Sequence, residues 1–126
     1  MKAGPRLVAR AVPPLLPPGS AVIVNLTGPS EKYWGLLGEI GVAGVLIRGI
    51  GIESFDDWTA QAARGEERTL DLATMFFPLF RIERIFLDEP VGEVESYCQR
   101  FAKRVGRPVE EYLGLEALED EGETRH

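Results

Sequence analysis

Residues 76–88, FFPLFRIERIFLD, constrain the fold more than any other stretch of this chain. Eight of these side chains are apolar or aromatic, the stretch has no glycine, and its one proline stands near the start. That composition predicts one long, half-buried β-strand. Period-2 spacing would place Arg81 and Glu83 on the same face as Leu87, so we expect a bulge or sharp bend near Glu83–Arg84. Long bent strands are typical of small closed barrels.

The size and composition of the chain indicate one soluble domain with tails. A chain of 126 residues with 44% apolar residues can bury a core without disulfides or metals. Its single cysteine excludes an internal disulfide and favours a reducing compartment. Prolines interrupt the apolar run near the N-terminus, so neither a signal peptide nor a membrane span is predicted. We therefore expect a cytoplasmic protein that does not enter a membrane.

The net charge of −6 is concentrated at one end. Residues 1–107 hold 13 basic and 13 acidic side chains, whereas residues 108–126 hold seven acids and only Arg125. A neutral body with an acidic tail does not attract a polyanion over a long distance. RNA is therefore a disfavoured partner, although a possible one.

Four segments follow from the pattern along the chain. Residues 1–19 are a proline-rich arm that favours polyproline II geometry. Residues 20–88 are predicted to form a small β-barrel with a helix inserted at about 54–64. Residues 89–118 form a C-terminal helical segment, and 119–126 an acidic disordered tail. The predicted fold class is mainly β with α.

Within the barrel segment, three strands precede the inserted helix. They are predicted at 20–26, 33–40 and 45–50, and glycines inside them indicate bends or close backbone approaches. Ser54 is a suitable N-cap for the inserted helix, and Gly65 a suitable residue after its end.

A second helix is predicted to open at Asp88–Glu89–Pro90 and to end at Gly106. Its apolar residues recur at a spacing of three and four, which indicates one buried stripe. The stripe consists of Val91, Val94, Cys98, Phe101 and Val105.

No motif of catalytic chemistry stands out in the sequence. The only histidine is His126, and Cys98 lies on an apolar stripe, where a thiol is ordinarily a small hydrophobe. Adjacent carboxylates such as Asp56 and Asp57 are ordinarily solvated, and the sequence has no Walker loop, GxGxxG or CxxC. The protein is therefore predicted not to be an enzyme and to need no cofactor and no metal.

Four residues are candidates for binding. Arg48, Arg81 and Arg84 fall on predicted strands, where the backbone would hold them to bind an anion or RNA, or to pair with nearby glutamates. Tyr33 and Trp34 must point to opposite sides of their strand, so one is expected in the core and the other on the rim. Trp34 is the candidate for a protein contact or for base stacking.

The barrel segment resembles the Sm-like and SH3-like small barrels over residues 20–88. The matching stretches are VIVNL at 22–26, WGLL at 34–37, GVLIRGI at 44–50 and FRIERIFL at 80–87. The resemblance implies a small barrel, and for Sm-like members it implies rings formed through strand edges and RNA bound at the loops. The turn at 39–44 has neither the Asp nor the Asn that lines the RNA pocket of that family.

These observations leave three hypotheses for function. The leading one is a non-enzymatic interaction or assembly module that acts through protein–protein contacts, including self-association. The second is an Sm-like RNA-binding protein that uses the strand arginines. The third is a ligand-binding or catalytic domain of unknown chemistry.

Overall fold

The computed structural model describes residues 16–65 and 70–114. Five strands form one antiparallel sheet in the order β4-β3-β2-β1-β5. Their bounds are Ala21–Leu26 (β1), Glu31–Ile40 (β2), Gly44–Gly51 (β3), Ala73–Pro78 (β4) and Ile82–Leu87 (β5). The helices are Phe55–Arg64 (α1) and Tyr97–Val105 (α2), and residues 109–114 are also helical. Strands dominate, one helix is inserted between β3 and β4, and another follows β5, which confirms the fold class. Strands β4 and β5 do not pair, so the sheet is open and the predicted barrel is not closed.

The long strand predicted at 76–88 is in fact two strands. A 3-10 turn, Leu79–Arg81, separates β4 from β5. The turn is fixed at both ends, because Leu79 N donates to Ala43 O at 3.0 Å and Thr27 N donates to Arg81 O at 2.7 Å. The single-strand prediction was wrong because Pro78 has no N–H to donate, so the chain can leave the ladder there. The chain thereby crosses from one edge strand of the sheet to the other.

The predicted bulge in this stretch is confirmed. Asn25 pairs with Arg84 and the next residue, Leu26, pairs with Ile82, so Glu83 is an extra residue in β5. A second shift lies between β2 and β3, where Leu37 pairs with Ile47 and Glu39 with Leu46. The extra residue there is Gly38. Both bulges increase the local bend of the sheet.

Two glycines allow β2 and β3 to approach each other closely. Gly35 and Gly49 are paired across these strands. A Cβ on Gly35 would lie 2.8 Å from Arg48 O and 2.9 Å from Gly49 Cα, closer than real Cβ contacts. The prediction that glycines within these strands mark a close backbone approach is therefore confirmed at this pair.

Alternating side chains of the sheet supply two separate cores. On one face, the fully or nearly buried side chains are Val22, Val24, Leu26, Leu37, Val45, Ile47 and Phe77. On the other face, residues of the sheet and the helices are buried together: Trp34, Ile50, Phe55, Trp58, Leu72, Phe101 and Val109. The strict alternation in β1 is what divides its side chains between the two cores.

Helix α1 forms as the sequence predicts, with one difference at its start. Ser54 does not accept a capping bond with its side chain, because its backbone belongs to a 3-10 turn, Ile52–Ser54, that leads directly into the helix. Gly65 adopts the left-handed conformation at the end, with φ of 67°, as expected of a residue after a helix.

Helix α2 begins later than predicted. Residues 91–94 form a tight turn in which Val91 and Val94 pair with each other, and both side chains are exposed. Ser96 is the N-cap, with a capping box to Gln99. Val91 and Val94 match the helical spacing of the stripe although they lie in this turn. The prediction that they belong to the buried stripe was therefore wrong. The remainder of the stripe is confirmed, since Cys98 and Val105 are half-buried and Phe101 is fully buried.

Residues 1–15, 66–69 and 115–126 lie outside the described residues. The predictions of a proline-rich arm and an acidic disordered tail therefore remain predictions. The described helices include none long and apolar enough to cross a membrane.

Phe101 provides a test of the second core. Its ring centroid lies 5.1 Å from that of Trp58 and 5.4 Å from that of Tyr112. Replacing Phe101 with Ala removes a fully buried aromatic ring and is expected to cost about 3–5 kcal/mol of unfolding free energy. Val94→Ala is the matched control, because Val94 is exposed, and should change stability by no more than about 0.5 kcal/mol. Urea denaturation measures both, and a Phe101→Ala variant as stable as the control would contradict the core assignment.

Candidate functional site

Asp88 joins the sheet to helix α2. One carboxylate oxygen accepts hydrogen bonds from Trp34 Nε1 at 3.0 Å and from Cys98 N at 2.8 Å. The other oxygen accepts from Tyr97 N at 2.8 Å, and Asp88 N donates to Ala21 O at 2.9 Å. Because the free N–H groups at a helix N-terminus favour an anion, Asp88 is a structural anchor for α2. Its oxygens are occupied by these donors.

Cys98 has the properties of a structural thiol. Burial raises the pKa of the Cys98 thiol, and the hydrogen bond and charge of Asp88 raise it further. The reactive form of cysteine is the thiolate, which these surroundings disfavour. Cys98 is therefore poorly suited to be a nucleophile or a redox centre.

Trp34 is buried, and Tyr33 lies on the opposite face of β2. The Trp34 ring is fully enclosed, with its centroid 5.2 Å from that of Phe55 and 5.9 Å from that of Trp58. Tyr33 packs against Phe77 in the other core, with centroids 4.9 Å apart. The expected opposition of the two aromatics is confirmed, but burial removes Trp34 from the residues that a partner or a base can touch.

Arg81 holds a loop. Its Nε donates to Thr27 O at 2.9 Å, and one Nη2 donates to Pro29 O at 2.7 Å and to Glu31 Oε1 at 3.1 Å. These bonds fasten the turn between β1 and β2 to the 3-10 turn that precedes β5. Three protein oxygens accept hydrogen bonds from the Arg81 guanidinium, so an anion would have to compete with them for its N–H groups.

Arg48 and Arg84 are exposed but lie on separate strands. Arg48 is on β3, opposite Leu36, whereas Arg84 is on β5, opposite Asn25. Two further strands lie between β3 and β5, which at a spacing of about 4.8 Å amounts to roughly 14 Å across the sheet. Arg84 lies 3.5 Å from the Glu83 carboxylate and 5.9 Å from the Phe86 ring centroid. The sheet therefore does not bring the three candidate arginines into one pocket.

Two of the three basic residues of α2 are also engaged. Arg100 pairs with Asp56 of α1, and its guanidinium lies 4.8 Å from the Tyr97 ring centroid. Lys103 pairs with Glu95. The Arg100–Asp56 pair therefore links α2 to α1, whereas the Lys103–Glu95 pair links α2 to the residue just before its N-cap.

A group of exposed apolar side chains is the best candidate for a functional surface. It lies where the β2–β3 turn meets the end of β4, and we call it the tip surface. Its members are Ile40, Val42, Phe76, Leu79 and Phe80, all large hydrophobic side chains with about half or more of their surface in solvent. Val42 is 98% exposed and Phe80 is 84% exposed.

The backbone holds the tip surface together. Gly44 pairs with Pro78, Ile40 pairs with Val45, and Leu79 N bonds to Ala43 O. Neither 40–47 nor 72–80 contains a charged residue. Contact with a partner would therefore bury apolar surface without desolvating a charge from these segments.

Sequence reasoning missed the tip surface, although a signal for it exists. A strand with one buried face cannot bury both Phe76 and Phe77, so one of two adjacent aromatics had to point outward. The absence of charge in both 40–47 and 72–80 is a second signal, because these segments come together when β3 and β4 pair. What the sequence could not supply was the 3-10 turn that turns Phe80 into solvent.

Within residues 16–65 and 70–114, no three side chains among His, Cys, Asp and Glu come together to hold a metal ion.

Comparisons with known proteins found no family model, no curated protein and no solved structure that matches this chain. The resemblance to Sm-like and SH3-like barrels therefore remains a prediction.

The structural role of Arg81 can be measured. Arg81→Ala removes the donors to Thr27 O and Pro29 O, and we expect a loss of about 1–3 kcal/mol of unfolding free energy. Arg48→Ala is the matched control, because Arg48 is an exposed strand arginine, and should change stability by no more than about 0.5 kcal/mol. Chemical denaturation decides, and equal stability of the two variants would show that the Arg81 bonds do not hold the loop.

Proposed function

We propose that this protein is a non-enzymatic interaction module and that it acts through protein–protein contacts made by the tip surface. The observation that carries the proposal is the group of five large apolar side chains held in solvent by paired backbone. An exposed apolar group of this size is a liability in a free protein and is typical of a surface that a partner covers. The module would contribute to an assembly rather than transform a substrate.

The location of the tip surface supports this function. Its backbone belongs to strands that are anchored in the first core, since Val45 and Phe77 are buried beside it. A rigid surface loses little conformational entropy when it binds, which favours affinity. The absence of charge in 40–47 and 72–80 agrees with the composition of interface centres, which are depleted in charged residues.

The placement of the arginines supports RNA binding less well. An RNA-binding surface collects cations along the path of the phosphates, and here Arg81 is bonded to carbonyls while Arg48 and Arg84 lie on separate strands. The residues at 1–107 have no net charge. Binding to random single-stranded RNA that weakens steeply with salt would favour this alternative.

The compartment belongs to the same proposal. A single cysteine suits a reducing environment, and we place the module and its partner in the cytoplasm.

Site-specific photo-crosslinking in cells tests the proposed contact surface. A photoreactive phenylalanine analogue is introduced separately at Val42 and at Phe80, with Arg104 as the control because it is exposed on α2, away from the tip. We expect light-dependent products of higher mass from positions 42 and 80 and none from position 104. Mass spectrometry then shows whether the partner is another protein or a second copy of this chain.

Two outcomes would contradict the proposal. One is the absence of crosslinks at positions 42 and 80 when the protein is folded and expressed in its native host. The other is equal crosslinking at all three positions, which would indicate random collisions.

A further inference from the structure

The geometry points to a second binding site, a groove beside strand β5 that takes an extended peptide segment of a partner, rich in apolar residues and flanked by basic ones. The groove has a volume of about 220 Å³. It is separate from the tip surface and does not depend on the function proposed for it. Three properties of the groove lead to this occupant: its apolar walls, the open edge of β5 and its charge.

Apolar side chains form the walls of the groove. Phe86 and Leu87 of β5 are nearly half exposed on one side, and Val91 and Val94 stand on the other with 69% and 71% of their surfaces exposed. The two valines are held there by a closed turn, since Val91 N donates to Val94 O at 3.0 Å and Val94 N to Val91 O at 2.9 Å. These side chains are therefore kept in solvent by the backbone.

The outer edge of β5 offers backbone hydrogen bonds. Among the described residues, β5 pairs only with β1. Asp88 N bonds to Ala21 O, and in an antiparallel ladder the bonded residues alternate, so Phe86 and Arg84 face β1. Ile85 and Leu87 consequently direct their N–H and C=O groups away from the sheet. An extended segment can add to such an edge as a further strand.

The charge of the groove selects a basic occupant. Residues 85–99 contain four acids, Asp88, Glu89, Glu93 and Glu95, and no Lys or Arg. The Asp88 oxygens are occupied by donors and Glu95 pairs with Lys103. Within the described part of the chain, Glu89 and Glu93 have no cationic partner. Cations at the ends of an apolar segment would supply those partners.

An extended segment meets these three requirements together. Its backbone would bond to Ile85 and Leu87, and alternate side chains would enter the groove against Phe86, Val91 and Val94. Basic residues at its ends would lie near Glu89 and Glu93. A helix would leave the N–H and C=O groups of the β5 edge without partners, so it fits less well.

Fluorescence anisotropy with the full-length protein tests the site. The probe is a labelled peptide of alternating valine and threonine with lysines at both ends. We expect saturable binding that weakens as salt is raised. A peptide with glutamates in place of the lysines should not bind. Neither should the lysine peptide that is N-methylated at every valine and threonine, because it lacks the donors that the strand edge requires.

Variants of the protein then locate the binding. The double variant Val91→Ser, Val94→Ser removes one apolar wall and should weaken binding by about tenfold or more. The double variant Glu89→Gln, Glu93→Gln removes the two unpaired negative charges and should weaken binding and reduce its salt dependence. Phe80→Ser is the matched control, because it removes an exposed apolar side chain from the tip surface, and should leave peptide affinity unchanged.

Several results would overturn the inference. They are a lack of saturable binding, binding that the N-methylated peptide reproduces, or affinity that is unchanged in the Val91→Ser, Val94→Ser variant. Analytical ultracentrifugation covers a further outcome, because a dimer of this chain that the same double variant dissociates would show that a second copy fills the groove. The groove and the tip surface are tested by separate experiments. A lack of peptide binding at the groove would therefore not change the outcome expected from crosslinking at the tip surface.

Discussion

The position of helix α2 against the sheet depends on the carboxylate of Asp88. The residue stands immediately after β5, and it accepts bonds from a buried indole of β2 and from the first two N–H groups of α2. Taking a carboxylate partly out of water is costly unless its oxygens are bonded, and at the half-buried Asp88 three donors meet that requirement while the helix terminus gains an anion. The position of α2 over the second face of the sheet, and therefore the burial of Phe101, follows from this junction.

Helices α1 and α2 cover one face of the sheet, and among the described residues the large apolar side chains that remain exposed lie in two places. One is the tip, where β2 turns into β3 and β4 ends at Pro78. The other is the outer side of β5, beside the turn at 91–94. Both places are fixed by backbone pairing, and neither is covered by the described residues. Charge distinguishes them, since the tip segments are uncharged and the β5 groove is acidic.

The sequence predicted what depends on local periodicity and failed where tertiary bonds decide. The alternation in β1, the bulge at Glu83, the helix at 55–64 and the burial of Phe101 all follow from patterns within a few residues. The start of α2 was misplaced for a different reason, because a valine pair with helical spacing precedes the local capping box of Ser96 and Gln99 that marks where the helix begins. The candidate arginines were chosen by residue type, but their bonds and their separation depend on which strands become neighbours. The exposure of Val42 and Phe80 likewise arises from contacts between the β2–β3 turn and the 3-10 turn.

We propose that another molecule covers the exposed apolar side chains of the tip surface in the cell. Hydroxyl-radical footprinting, done on the purified protein and inside cells, measures this cover directly at Phe80. We expect Phe80 to react readily in the purified protein and to be protected in cells, whereas Tyr33, half-buried at the opposite end of β2, should react equally in both. Equal reactivity of Phe80 in the two settings would show that nothing covers the tip surface.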